Sequence, residues 1–267
     1  VLTEFEAMEA NLRQSFRVLA EGRPHADIAE LDGVSIASLG AAFQMFNAAF
    51  LNSPVPDRRS LEERLVRAGR LFASRCIPWS FWICEDWLAR SAKRALTNTC
   101  ESADLRPVAE MPAMVTDSLR ERSRLGRRDR SRPALEIRRA IDVQTLRDFR
   151  AIGSVCFHVP PAWFGEVFND TMPARDFICW VGYRDDVPIA TAATVVSDGV
   201  IGVYNVATIP EERGKGYGEA ITRYAIESAS HGAVFRHIIL QSTTHGQRLY
   251  KRLGFREISR VVVFNSI

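Results

Sequence analysis

The 267-residue sequence predicts an α/β protein built from two related units in tandem. Three observations predict it. An Asp198-Gly199 pair, the strongest hairpin signal in the chain, joins two apolar runs. The run over residues 200–208 leads into a turn holding Gly214, Gly216 and Gly218, which opens directly into a helical pattern. The order of helices and strands in the first half also matches the latter part of the second, although no repeat is visible residue by residue.

Along the chain, residues 5–20 read as a helix, followed by two strand-like runs at 28–39 and 43–51. A helix at 61–74, a strand at 80–84, a helix at 87–95 and a strand near 105–109 complete the first half. Trp79, Phe81, Trp82 and Trp87 form the densest aromatic cluster; strand alternation sets Trp79, Phe81 and Ile83 on one face and Trp82 on the other. A core strand is the expected reading, with a ligand-facing Trp82 the alternative. The second half begins with a strand at 134–139, then a helix N-capped by Asp142 running to about Val155. Pro160-Pro161 breaks the chain before a short helix at 162–169. Strands at 177–183 and 188–197 meet at a turn over residues 184–186, and the strand at 200–207 follows the hairpin. The helix at 216–230 carries an apolar face of Ala220, Ile221, Tyr224, Ala225 and Ala229 and ends at Gly232. A buried strand at 238–240, a helix at 246–253 and a last strand at 260–264 close the unit. The expected division is 1–118, a connector at 119–133, and 134–267.

Composition narrows the class. At 46% hydrophobic and 25% charged residues the chain is an ordinary globular protein, and no apolar stretch approaches the length of a membrane span. The start lacks the basic and apolar regions of a signal peptide, which with the missing apolar span predicts a cytoplasmic protein. Cys76, Cys84, Cys100, Cys156 and Cys179 form an odd set without a C-x-x-C pair, against a disulfide framework or a zinc site. The net charge of +3 demands no polyanionic partner. Nine arginines against three acids lie between Arg120 and Arg139. They could form a nucleic-acid arm, but no aromatic residue stands among them to stack a base, and Gly126 and Pro133 suit a connector.

The glycine-rich turn carries the chemistry. Glycines let a backbone approach a ligand closely, and the unpaired N–H groups of the following helix point at it. With the partial positive helix end and the cations Arg213 and Lys215, a diphosphate is the natural occupant. The P-loop spacing is absent, since Gly214-Lys215 is followed by glycine and tyrosine. The dinucleotide spacing from Gly214 fails at Glu219. The remaining pattern, Arg213-x-x-Gly216-x-Gly218, resembles the pyrophosphate turn of the GNAT superfamily of acyl-CoA-dependent N-acetyltransferases. Downstream, Leu249-Tyr250-Lys251-Arg252-Leu253-Gly254-Phe255 is similar to the helix and turn that close the same site there.

The resemblance implies a mixed, mostly antiparallel sheet flanked by helices, with acetyl-CoA as co-substrate, for residues 134–267. In the first half, residues 51–60 stand where the turn would be, with two prolines and no glycine, so a row of amides cannot converge on phosphate there. A degenerate first unit that binds no CoA is expected, walling one side of the acceptor cleft. Residues 213–219, including Tyr217, would anchor the diphosphate. Val206, Ala207 and Thr208 would offer backbone groups to the pantetheine arm and the thioester oxygen. Ser242 and Thr243 would touch the same arm, or serve as helix N-cap residues. Tyr250 matches the position of a tyrosine that protonates the leaving sulfur, a phenol and a thiol having close proton affinities; packing within its turn is the alternative. Some family members place a glutamate on the strand before the turn, whereas residues 200–208 contain no carboxylate. Water held by backbone, Asn205 or Tyr204 could relay the proton instead, and His158, Glu166 and Asp170 are other candidate bases. His231, His237 and His245 lack metal-ligand spacing, so no metal is expected. Cys179 reads as a buried strand residue and Cys156 has no recognisable activating partner, which favours direct attack over a covalent intermediate. The acceptor would be a small-molecule or peptide amine. A non-catalytic CoA-binding sensor or scaffold is the alternative, and the sequence does not give the oligomeric state.

Overall fold

The computed structural model describes residues 2–121, 135–169, 176–231 and 234–267. Along the chain run α1 (Glu4–Ala20), β1 (Asp27–Leu31), β2 (Val34–Ser38), β3 (Asn47–Leu51), α2 (Arg58–Arg75), β4 (Ser80–Cys84), α3 (Arg90–Glu101) and β5 (Leu105–Thr116). Then come β6 (Glu136–Arg139), α4 (Val143–Phe157), α5 (Pro161–Val167), β7 (Ile178–Arg184), β8 (Val187–Ser197), β9 (Val200–Thr208), α6 (Tyr217–Ser230), β10 (His237–Gln241), α7 (Gln247–Leu253) and β11 (Arg256–Ser266). The chain divides into two compact units, Val1–Ala113 with Glu257–Ile267, and Met114–Arg256.

In the first unit the strand order is β1-β2-β3-β4-β11-β5. All its described pairings are antiparallel except β3 with β4. Leu61, Leu65 and Phe72 of α2 and Ala92 and Leu96 of α3 bury against Val34, Ile36, Ala49, Phe81 and Ile83 on one face of this sheet. On the other, Phe16 of α1 meets Phe50 and Trp82 edge-on, at 5.1 and 4.9 Å between ring centroids. The aromatic cluster is therefore core, with Trp82 buried and its indole N–H donating to Ser80 Oγ at 2.9 Å. The capping box of Thr3 and Glu6 starts α1, satisfying two amides that the first turn leaves open.

In the second unit β10, β9, β8, β7 and β6 lie in that order, with only β9 and β10 parallel among the described pairings. Neighbouring residues of β9 face opposite ways: Val203 joins the cluster holding Ile226 of α6, while Tyr204 stacks on Phe177, in line with Phe168 and Phe149 of α4. Helices α4 and α6 thus cover the two faces. Asp142 caps α4 through the Thr145 amide at 2.9 Å, as its spacing predicts. The expected architecture, mixed and mostly antiparallel sheet with flanking helices, is present in both units.

Several local readings change. The run at 28–39 is a hairpin, β1 and β2, turning at Asp32-Gly33 with Gly33 at φ 79°, whereas at Asp198-Gly199 both residues have positive φ. The run at 43–51 opens with a 3₁₀ turn, Gln44–Phe46. Helix α3 begins at Arg90, because Leu88 is held extended by a parallel bridge to Val55. On α6, Ile226 belongs to the buried face, whereas Tyr224 is 38% exposed and leans edge-on against Trp180 from the flank. The last strand pairs with β4 in the first unit, Val263 opposite Trp82. Most of the arginine-rich connector, Asp170 and Gly232 lie outside the described residues.

Candidate functional site

Strand β9 makes the site by leaving its neighbour. It pairs with β10 only from Val200–His237 to Gly202–Ile239, after which no rung joins them. On its other edge, Ala193 pairs with Tyr204 and Thr191 with Ala207, so Asn205 and Val206 together oppose Ala192. This is a β-bulge, and Asn205 sits at its bend with φ 49°. The Thr191 hydroxyl donates to the Asn205 carbonyl at 2.8 Å. Because of the extra residue, Val206 packs on the α6 side like Val203 three positions before it. The Ile209 amide bonds back to Ile189 at 3.0 Å, so by strand alternation the backbone groups of Val206 and Thr208 point the other way, into the gap beside β10.

The chain then passes through a 3₁₀ turn, Pro210–Glu212, into the glycine turn. Gly214 and Gly216 have φ of 77° and 90°, values at which any side chain is strained. Gly216 is the N-cap of α6 and offers no side-chain cap; the first bond of the helix is Ala220 N–H to Gly216 O at 3.0 Å. The amides from Gly214 to Glu219 make no hydrogen bond among the described residues. Six adjacent donors at a helix start are an arrangement that suits an anion. Thr208 Oγ1 and Leu249 Cδ2 lie 3.4 and 3.6 Å from where a side chain at Gly218 would begin, ordinary contact distances that place Gly218 between the end of β9 and α7.

The charges differ from the expectation. Lys215 Nζ lies 3.1 Å from the buried carboxylate of Glu212, which also accepts from Arg184 Nη1 at 2.5 Å. Burial pushes the Glu212 carboxyl up, but the two cations outweigh it and hold it below its ordinary value. Arg213 turns back, its Nε donating to Thr208 O at 3.0 Å. Cys156 Sγ reaches the same carbonyl at 3.4 Å, fixing the end of α4 to the end of β9; burial raises this thiol more than Arg213 lowers it. Arg184, Glu212 and Thr191 are site residues that sequence reading missed. Only Glu212, three residues before Lys215, carried a local signal.

Beyond β10, Ser242 is buried and donates to Thr243 O at 2.7 Å, while Thr243 Oγ1 accepts from the Gly246 amide at 3.2 Å. Tyr250 packs edge-on against Phe255, and its ring comes within 3.0 Å of the position a Gly246 side chain would take, beside Ser242 Oγ. Burial pushes the phenol well up from its ordinary value, and its hydroxyl has no partner among the described residues. His158 and Glu166 are exposed. The structure thus brings Arg213, Cys156, Gly218 and Leu249 around Thr208 at the end of β9, and packs Tyr250 in the cluster that holds Val203, Ile226 and Val206.

The first unit carries the same parallel arrangement without the opening. Strands β3 and β4 pair from Ala48–Ser80 to Phe50–Trp82, part, and are rejoined by Val55 N–H to Trp87 O at 2.7 Å and Ala89 N–H to Val55 O at 2.9 Å. The gap is closed by the chain's own backbone.

A family model, the acetyltransferase (GNAT) domain, matches residues 175–257. The fold is similar to that of a GCN5-related N-acetyltransferase from Kribbella flavida at 19% identity, covering 100% of this chain and 96% of that one with a TM-score of 0.73. A conserved protein of unknown function from Staphylococcus epidermidis is similar at 12% identity, with 90% and 94% covered and a TM-score of 0.68. A GCN5-related N-acetyltransferase from Sphaerobacter thermophilus shares 17% identity over 88% and 76% of the two chains, with a TM-score of 0.54. No curated protein matches the sequence. The β9 gap, the glycine turn and α7 all fall within the segment that matches the acetyltransferase (GNAT) domain, in a chain whose fold is similar along its whole length to that of a GCN5-related N-acetyltransferase.

Proposed function

We propose that this chain transfers an acetyl group from acetyl-CoA to a primary amine, the amine attacking the thioester directly while both are bound. The observation that carries the reading is the row of amides from Gly214 to Glu219 without a partner among the described residues, following the strand that parts from β10. Acetyl-CoA fits these residues: a diphosphate suits the amides, and an extended amide-containing arm suits strand backbone in the gap. The Val206 amide polarises the thioester oxygen, an interaction worth roughly 3–4 kcal/mol in comparable sites. Tyr250 stays protonated and supplies the proton that the departing sulfur takes as the C–S bond breaks. The attacking nitrogen loses its proton through water held by Asn205 or Tyr204. No described helix is long and apolar enough to cross a membrane. The acceptor is a small-molecule or peptide amine and the compartment the cytoplasm; nucleic acid plays no part.

The test is calorimetric titration with acetyl-CoA of the wild type and of Gly216→Asp, followed by turnover on an amine panel. One equivalent bound by the wild type and none by the variant supports the reading; no binding by folded wild type overturns it. The absence of any carboxylate on β9 favours a second reading, a CoA-binding sensor. Stoichiometric binding without turnover of any amine would select it.

A further inference from the structure

The geometry points to Thr191 as a positioning residue for acyl transfer, locking the β9 bulge through its bond to the Asn205 carbonyl and so aiming the Val206 amide into the gap. This deepens, and rests on, the acetyltransferase reading. Asn205 is not glycine, yet it holds φ 49°, a conformation a side chain adopts only at a cost. Something must hold it. The bulge removes one residue from the β8–β9 ladder, and the Thr191 hydroxyl supplies a donor to the carbonyl at the bend, 2.8 Å away.

Thr191 is 1% exposed, and its neighbours Ala190 and Ala192 face α6, so its own side chain lies on the α4 side. Without the hydroxyl that carbonyl loses its side-chain donor in a part-buried site, and the strained residue is free to return to an extended conformation. Such a return slips β9 by one residue, and a one-residue slip turns every following backbone group to the opposite edge. The Val206 amide would then face β8 instead of the gap. The glycine turn would be unaffected, because the φ values of Gly214 and Gly216 and the Glu212 contacts with Lys215 and Arg184 hold it independently.

Strand β8 contains its own control. Thr194 is also 1% exposed, but its hydroxyl is buried without a hydrogen-bond partner. Thr191→Val and Thr194→Val make the same isosteric change at equal burial, and only the first removes a bond.

The experiment compares wild type, Thr191→Val, Thr191→Ser and Thr194→Val by thermal melting, by calorimetry with CoA and with acetyl-CoA, and by steady-state turnover. Thr191→Ala, which cannot clash, replaces the valine variant if that does not melt cooperatively. Expected for Thr191→Val is CoA affinity within about twofold of wild type and kcat lower by about tenfold or more, with serine restoring the rate and Thr194→Val unchanged. Turnover by Thr191→Val equal to wild type overturns the proposal while leaving the acetyltransferase reading intact. If the wild type binds CoA and turns over no amine, the ratio of acetyl-CoA to CoA affinity decides: a ratio lost in Thr191→Val and kept in Thr191→Ser supports Thr191, and an unchanged ratio overturns it. Wild type that binds neither ligand overturns both readings together.

Discussion

Gly216 shows how much one residue can commit. Its φ of 90° and its place within a row of six amides without a partner among the described residues join a conformational demand to a chemical one. Gly216→Ala should therefore weaken acetyl-CoA binding through strain, while Gly216→Asp adds repulsion and should abolish it in the same titration. Tyr250 makes a different demand. Because burial raises its phenol, it stays protonated through the neutral range, and the pH–rate profile should show no tyrosine ionisation up to about pH 10, the ordinary value for a phenol. Tyr250→Phe should lower kcat by about tenfold or more with unchanged CoA affinity; an unaltered rate would return Tyr250 to a packing role. Far from this site, Glu9 is buried against Arg13 at 2.9 Å, with Glu30 and Cys84 also facing it. Burial pushes its carboxyl up to about 7, with Arg13 opposing less strongly. A raised acid stabilises the fold fully below its unfolded value of 4.5, and that contribution is lost as pH rises to about 7. Denaturation midpoints should fall across this window, by on the order of 3 kcal/mol in stability, and Glu9→Gln should flatten the curve.

At the scale of elements, β9 concentrates the candidate site because it is irregular. A regular strand would pair on both edges; this one carries a bulge on one side and abandons its partner on the other. Asn205→Gly should preserve the bulge and stabilise it by up to about 1 kcal/mol, since glycine accepts the left-handed conformation freely. Asn205→Val should cost about 1–3 kcal/mol and lower the rate, a β-branched residue being poorly tolerated there. Melting curves of the two variants should move in opposite directions. The turn, by contrast, is tied by charge: the buried Glu212 pairs with Lys215 of the turn and with Arg184 at the end of β7.

For the whole molecule, the two units resemble each other in strand order and differ just after the parallel pair. The first rejoins its strands through Val55 and Leu88, and the second leaves them apart, so one equivalent of acetyl-CoA per chain is expected. Strand β11 ties the chain's end to the first unit, pairing with Ser80–Cys84. A fragment beginning at Met114 and running to Ile267 should therefore expose an unpaired apolar strand and aggregate, whereas one ending at Arg256 should be more soluble. Light scattering of the two fragments distinguishes them, and equal solubility would contradict the strand's assignment.

Whatever depends on neighbours along the chain can be read without a structure. The glycine turn, the Asp142 cap, the Asp198-Gly199 hairpin and the position of Tyr250 are local, because φ, amide direction and helical spacing are set within a few residues. The closed first unit was legible in part, through the prolines after Leu51. Tertiary structure alone decided the rest. Alternating apolar residues identify β11 as a strand without saying which edge it joins. Arg184 reaches Glu212 across 28 positions, and Thr191 reaches Asn205 across 14. Lys215, read as a phosphate ligand, is shared with a carboxylate whose burial no local pattern reveals. Such contacts depend on the register between strands, and register is fixed only when the faces of a sheet are packed against their helices.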